Sequence, residues 1–217
     1  MKAKRPGLAA LAAVVALAGC RGHKNEHIAT PADVEMHASA LAKFQHEIEE
    51  YVELHQELLH RIPNVGPHAS PEEIAAHRSK MTKGILDERR GAHRGEIFKP
   101  KVEAAFRQLF ATELARPAHQ AWLDEILSGN PKAEGVPSRS DPSKETTEKP
   151  PTVAVNVTYD PGAPLSSVPP TLLSKMPPLP EQIRYRFVGR DLVLLDGEAN
   201  VILDFISNAV PDRTLPR

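Results

Sequence analysis

The sequence predicts an α+β fold: an antiparallel helical bundle of about three helices, a disordered linker, and a small antiparallel C-terminal β-sheet. Three observations predict it. Apolar residues recur at alternating three- and four-residue steps in the first half. Seven of the 21 prolines precede residue 130 and fourteen follow it, so the second half is too proline-rich to be mainly helical. Near the C-terminal end, alternating apolar runs are separated by turn residues, as in strands joined by hairpins.

The chain opens on a basic leader with Lys2, Lys4 and Arg5, followed by an unbroken apolar run at residues 8–18 that ends in small residues. This is the pattern of an export signal. The run is too short to span a membrane, which takes roughly 20 apolar residues. Cys20, the only cysteine, follows directly. Alone it forms no internal disulfide and offers a metal one soft ligand. No base or orienting group beside it marks a catalytic thiol. Leu17-Ala18-Gly19-Cys20 resembles the lipobox of bacterial lipoproteins at all four positions. The resemblance implies cleavage between Gly19 and Cys20, alkylation of the Cys20 thiol by a diacylglyceryl group, and acylation (palmitate or similar) of its new amino group. Two or more acyl chains give stable anchoring where one gives only marginal binding. Arg21 stands where an aspartate would resemble an inner-membrane retention signal, so the resemblance favours the outer membrane, facing the periplasm.

The expected organisation is a signal peptide at 1–19, a tether at 20–29, a helical bundle at 30–129, a linker at 130–151 and a β-rich, proline-rich segment at 152–217. Thr30 as N-cap, Pro31 at the first helical position and Asp33 in the first turn start the first helix. Val34, Leu41, Phe44, Ile48, Tyr51, Leu58 and Ile62, with His37 and His55 inserted, form a heptad seam that ends before Pro63. Ser70-Pro71-Glu72-Glu73 starts the second helix, with a capping box between Ser70 and Glu73. Its face is expected to be Ile74, Arg78, Met81, Ile85 and Leu86, and Gly84 weakens the pattern. A third helix runs through Ile97, Phe98, Val102, Phe106, Leu109, Phe110 and Leu114, with Pro100 marking a start inside that span and Pro117 ending or kinking it. Trp122, Ile126 and Leu127 form a last apolar turn.

Between Ser128 and Pro151 the only large apolar residue is Val136, too little to offset the entropy of ordering. Val153, Val155, Val157 and Tyr159 alternate as one strand, and Leu172, Leu173 and Met176 suit a helical turn laid on a sheet. "IRYRFVGRDLVLLDGEANVILDFI" reads as three strands with turns at Gly189-Arg190-Asp191 and Asp196-Gly197. Its edges are open to a partner strand unless the proline-rich segment covers them.

Removing the leader takes three basic residues from 27 against 28 acidic ones, leaving a net charge of −4. That balance argues against a nucleic-acid partner. The ten histidines raise a metal reading, because neutral imidazole is a common ligand for nickel, copper or zinc. His55 and His60 in "HQELLH" are the candidate pair, although one residue longer than the spacing that puts two imidazoles on one helix face. His23 and His27 have that spacing but lie in the tether, and His37 is too far from His55 to share an ion. No cofactor motif, phosphate loop or nucleophile elbow is present.

Two further resemblances bear on function. Tyr185-Arg186 and Val188-Gly189-Arg190-Asp191-Leu192 are similar to the terminal hairpin of small periplasmic proteins of nickel and cobalt homeostasis, with Ala199-Asn200 in place of Thr-Gly. No metal ligand carries over. "FQHEIEEYVELHQELLHRIP", "RGEIFKPKVEAAFRQLF" and the terminal sheet together resemble exported bacterial proteins of no assigned activity. The leading expectation is a lipid-anchored, non-enzymatic envelope scaffold or protein-binding module with a protein partner. A metal-handling or metal-sensing accessory protein is the alternative, and an enzyme the third.

Overall fold

The computed structural model describes residues 31–128, 153–159 and 165–211, apart from the side chains of 31–37, 120 and 128. The leader, Gly19 and Cys20, the tether with His23 and His27, and the proposed linker lie outside the described residues. The fold is α+β, as the sequence predicts. It comprises helices α1 (Pro31–Arg61), α2 (Pro71–Glu88) and α3 (Pro100–Leu114), a 3₁₀ turn at Pro117–His119, and α4 (Gln120–Ser128). Strands β1 (Val157–Thr158) and β2 (Ser166–Ser167) follow, then the one-turn helix α5 (Pro170–Leu173) and strands β3 (Ile183–Val188), β4 (Asp191–Asp196) and β5 (Val201–Ile206).

Proline sets the starts of the first three helices, each having one at its first position, where the missing N–H costs nothing. At α2 the capping box is complete: Glu73 N–H donates to Ser70 Oγ at 3.2 Å, and Ser70 N–H donates to Glu73 Oε2 at 2.7 Å. The 31-residue α1 is the spine. Tyr51 meets Arg89, Leu58 meets Gly84 and His77 bonds Pro63, so α2 runs antiparallel to the C-terminal half of α1. Phe44 meets Phe98 and Phe106, and Glu47 meets Lys99, so α3 runs antiparallel to the N-terminal half. The two shorter helices therefore follow one another along α1.

The buried face of α2 keeps Met81 and Ile85 from the expected set, with Leu86 partly buried, but begins at His77; Ile74 is 45% exposed and Arg78 exposed. Gly84 marks a close approach of α2 to α1. A Cβ at this position would lie 2.7 Å from Cδ2 of the buried Leu58, so the glycine lets the helices approach. The third helix begins at Pro100, while Ile97 and Phe98 belong to the loop before it.

All strand pairs are antiparallel, in the order β1-β5-β4-β3-β2. The expected three-stranded meander is flanked on each side by a two-residue strand, so the run 153–159 pairs only at Val157 and Thr158. One sheet face joins the helices in a single core. Phe106 packs against Tyr185 at 5.8 Å between ring centroids, and Phe110 against Phe187 at 5.7 Å. The other face buries Val193, Leu195 and Ile202 with Tyr159 and Val188. An irregularity between Leu194 and Leu195 leaves Leu203 unpaired and sets Asp204 opposite Leu194, facing the helices.

Candidate functional site

The seam of α1 carries Phe44, Ile48, Tyr51, His55 and Leu58 into the core, and His55 is 0% exposed. A buried imidazole requires polar partners. They come from the far end of the chain. Strand β4 points Leu192, Leu194 and Asp196 toward the helices, and Asp196 ends the strand beneath α1.

Asp196 Oδ2 accepts from the Tyr51 hydroxyl at 2.7 Å and lies 2.9 Å from His55 Nδ1. Its Oδ1 accepts from the backbone N–H of Glu198 at 3.0 Å and of Ala199 at 2.6 Å, closing the β4–β5 turn. Asn200, in the left-handed region with φ of 55°, completes that turn. His55 Nε2 approaches Glu198 Oε2 at 3.3 Å without an aligned hydrogen bond, making this contact an ion pair. His77 joins from α2, with Nε2 2.9 Å from Glu198 Oε1 and Nδ1 3.1 Å from the Pro63 carbonyl. Thr82 donates to the Ala199 carbonyl at 2.9 Å. Two helices therefore grip one hairpin turn.

Burial alone would favour neutral groups, but the partners outweigh it. Desolvation opposes charge on His55, yet the hydrogen bond and charge of Asp196, with Glu198 behind, raise its pKa. Desolvation likewise opposes the Asp196 carboxylate, but His55, the Ala199 N–H and Tyr51 hold its pKa below the usual range. Burial first, then Asp196, push the Tyr51 phenol far upward, so it remains an O–H donor. The Arg89 guanidinium lies 5.5 Å from the centre of the Tyr51 ring and donates to the Leu203 carbonyl at 2.9 Å.

Asp204 does similar work a few residues on. Its carboxylate accepts backbone N–H bonds from Gly95 at 3.0 Å, Ile97 at 2.9 Å, Phe98 at 2.8 Å and Phe205 at 2.8 Å. It thereby fixes the loop between α2 and α3 to β5. Chemically, the arrangement is a charge-assisted clamp. Within the His55 cluster, Glu198 is the carboxylate partly open to solvent, its side chain 35% exposed.

The structure does not bring His55 and His60 together. Five helical positions turn them about 140° apart. His55 faces the core, while His60 is exposed and sits with Nδ1 2.7 Å from the Gln56 carbonyl. Among the described residues, no group of three or more His, Cys, Asp or Glu side chains is arranged to hold a metal ion. Tyr51, His77, Asp196, Glu198 and Asp204 were not marked as a site by sequence reasoning. One signal existed: histidine at a seam position, and aspartate at an inward position of β4. No known family, no curated protein and no solved structure matches the chain.

Proposed function

We propose that this chain is a lipid-anchored protein of the bacterial envelope whose α+β domain is a non-enzymatic binding or scaffolding module. The observation that carries the reading is Leu17-Ala18-Gly19-Cys20 behind a basic leader and an apolar run. Anchored through acylated Cys20, the domain faces the periplasm, at the outer membrane in a source that has one. Pro31 opens α1 eleven residues after Cys20, so the tether keeps the domain close to the membrane surface. Among the described residues, no helix is long and apolar enough to cross a membrane.

The module reading is supported by how the buried charges are used. Asp196, Asp204 and His55 are fully buried and bonded to backbone groups and neighbours that hold helices to sheet. A proton-transfer residue instead needs to come within hydrogen-bond reach of its substrate. The test is Cys20→Ser. It should accumulate as uncut precursor that takes up no labelled palmitate. A variant that still matures and fractionates with membrane sinks the reading.

A metal-handling role is the second reading, favoured by His55 and His77 turning their Nε2 atoms to the same Glu198 carboxylate. Calorimetric titration of the mature protein with nickel, copper and zinc near neutral pH tests it, and silence in all three titrations removes it.

A further inference from the structure

A cavity of about 370 Å³ opens between the N-terminal half of α1, the middle of α3 and the segment 174–178 that follows α5. Its floor is core: Phe106 and Met176 are buried. Its walls are apolar residues that the core leaves partly uncovered. Leu41 holds a seam position of α1 yet is only half-buried, and Leu109 of α3, lining the same cavity, is half-buried too. Pro177 and Pro178 close the third side with ring carbons and no N–H. That segment is fixed at two points: the Tyr185 hydroxyl donates to the Pro177 carbonyl at 3.2 Å, and Lys175 pairs with Glu113 of α3 at 2.7 Å.

One end of the cavity is cationic. Lys175 lines it, and its ammonium meets Glu113, one turn of α3 beyond Leu109. Arg116 reaches the same Glu113 oxygen at 3.4 Å, so one carboxylate faces two permanent cations. The Lys175 hydrogen bond, against the desolvation of burial, and then the Arg116 charge hold the Glu113 carboxyl below its usual range. Glu113 is therefore ionised, and the three side chains together keep one positive charge. An ammonium has three N–H donors, of which Glu113 takes one. From Ala105, lining the other end, to Glu113 is about 12 Å along α3 at the helical rise.

We infer that this cavity binds a single-chain aliphatic acid, its tail along Leu41 and Leu109 and its carboxylate at Lys175. The volume sits near the small end of the roughly 300–1,000 Å³ typical of ligand pockets, which suits one alkyl chain of medium length. The tail is recognised by the apolar area it buries, and the head by a charge-assisted hydrogen bond. Since α3 runs antiparallel to α1, the cationic end lies toward the start of α1, where the tether from Cys20 joins. The inference rests on the binding-module reading and names its ligand class.

The test uses the full mature chain in phosphatidylcholine nanodiscs and a photoreactive probe, decanoic acid with a diazirine on its tail. Irradiation, digestion and mass analysis locate the label. It should attach saturably between Ala105 and Leu109 and at Met176, and excess unlabelled decanoate should displace it. The matching decanol probe, which lacks the charge, should label these positions at least about fivefold less at equal concentration in the nanodisc. Lys175→Gln should abolish that preference. Ala105→Phe, which places a ring in the cavity, should abolish labelling by both probes. Melting temperature is read on each variant, and if Ala105→Phe fails to fold, Lys175→Gln decides alone. Label found only in lipid or in the tether, equal labelling by acid and alcohol, or unchanged labelling of the variants overturns the inference. Cys20 acylation is read by mass on the same preparation, and an unacylated chain is labelled in buffer, so failure of the anchor and failure of the cavity are told apart.

Discussion

Replacing Asp196 with alanine removes the acceptor on which four donors converge. The side chain is fully buried, and its two oxygens are 2.6–3.0 Å from Tyr51 Oη, His55 Nδ1, Glu198 N and Ala199 N. Without it, a core imidazole is left with Glu198, and a phenol and two backbone N–H groups lose their partner. Removing one member of a buried charged pair costs about 3–5 kcal/mol. Relaxation of the turn, whose Glu198 is partly open to water, offsets some of the lost backbone bonds. The expected loss is about 4 kcal/mol, a large share of the roughly 5–15 kcal/mol that holds a typical domain. The melting temperature should fall by about 10 °C. Urea unfolding followed by far-UV circular dichroism and by Trp122 fluorescence measures this. Asp191→Ala is the matched control, because Asp191 also accepts a backbone N–H, from Asn208 at 2.7 Å, but at an exposed site. It should cost no more than about 1 kcal/mol. A loss below about 1 kcal/mol for Asp196→Ala, or one equal to the control, would refute the clamp.

Other perturbations have equally definite outcomes. Folding raises the His55 pKa, so its stabilisation is complete below the ordinary value of 6.5 and is lost as pH rises through the folded value. Folding lowers the Asp196 pKa, so its share is complete above 3.8 and is lost as pH falls through the folded value. Stability from this pair therefore peaks between those two values, and His55→Gln should flatten the decline on the alkaline side. Superimposable alkaline limbs for the two proteins would exclude His55 as the titrating group. Gly84→Ala should destabilise by about 1 kcal/mol despite alanine's better helix propensity, because the new Cβ meets Leu58; a more stable variant would show that Leu58 yields freely. Asp204→Ala should speed hydrogen exchange at the Gly95, Ile97 and Phe98 amides, and unchanged exchange there would mean their protection comes from elsewhere.

The helical half was legible because its signals are local. Pro31, Ser70-Pro71 and Pro100 mark helix starts through their own backbone chemistry, and the capping box needs only residues three apart. Spacing also put His55 on the buried seam. The partners of that seam were not legible. His55 and Asp196 are 141 positions apart, and Asp196-Gly197 reads locally as a turn signal, which it also is. The face of α2 holds at Met81, Ile85 and Leu86 and differs only in its first half: hydropathy favours Ile74 as core, but Glu198 and the Pro63 carbonyl satisfy His77 and draw that side inward. Alternation in 153–159 suggested a longer strand than two residues because pairing length depends on β5, not on the run itself. The inward Asp204 depends on an irregularity in β4–β5 pairing that leaves no mark in the apolar pattern.

Mass analysis of the N-terminal peptide from membrane-extracted protein tests the central claim most directly. A peptide beginning at Cys20, carrying a diacylglyceryl group on sulfur with or without an acyl group on nitrogen, is the predicted result. An unmodified Cys20, or a mature chain beginning at another residue, would contradict the lipid anchor.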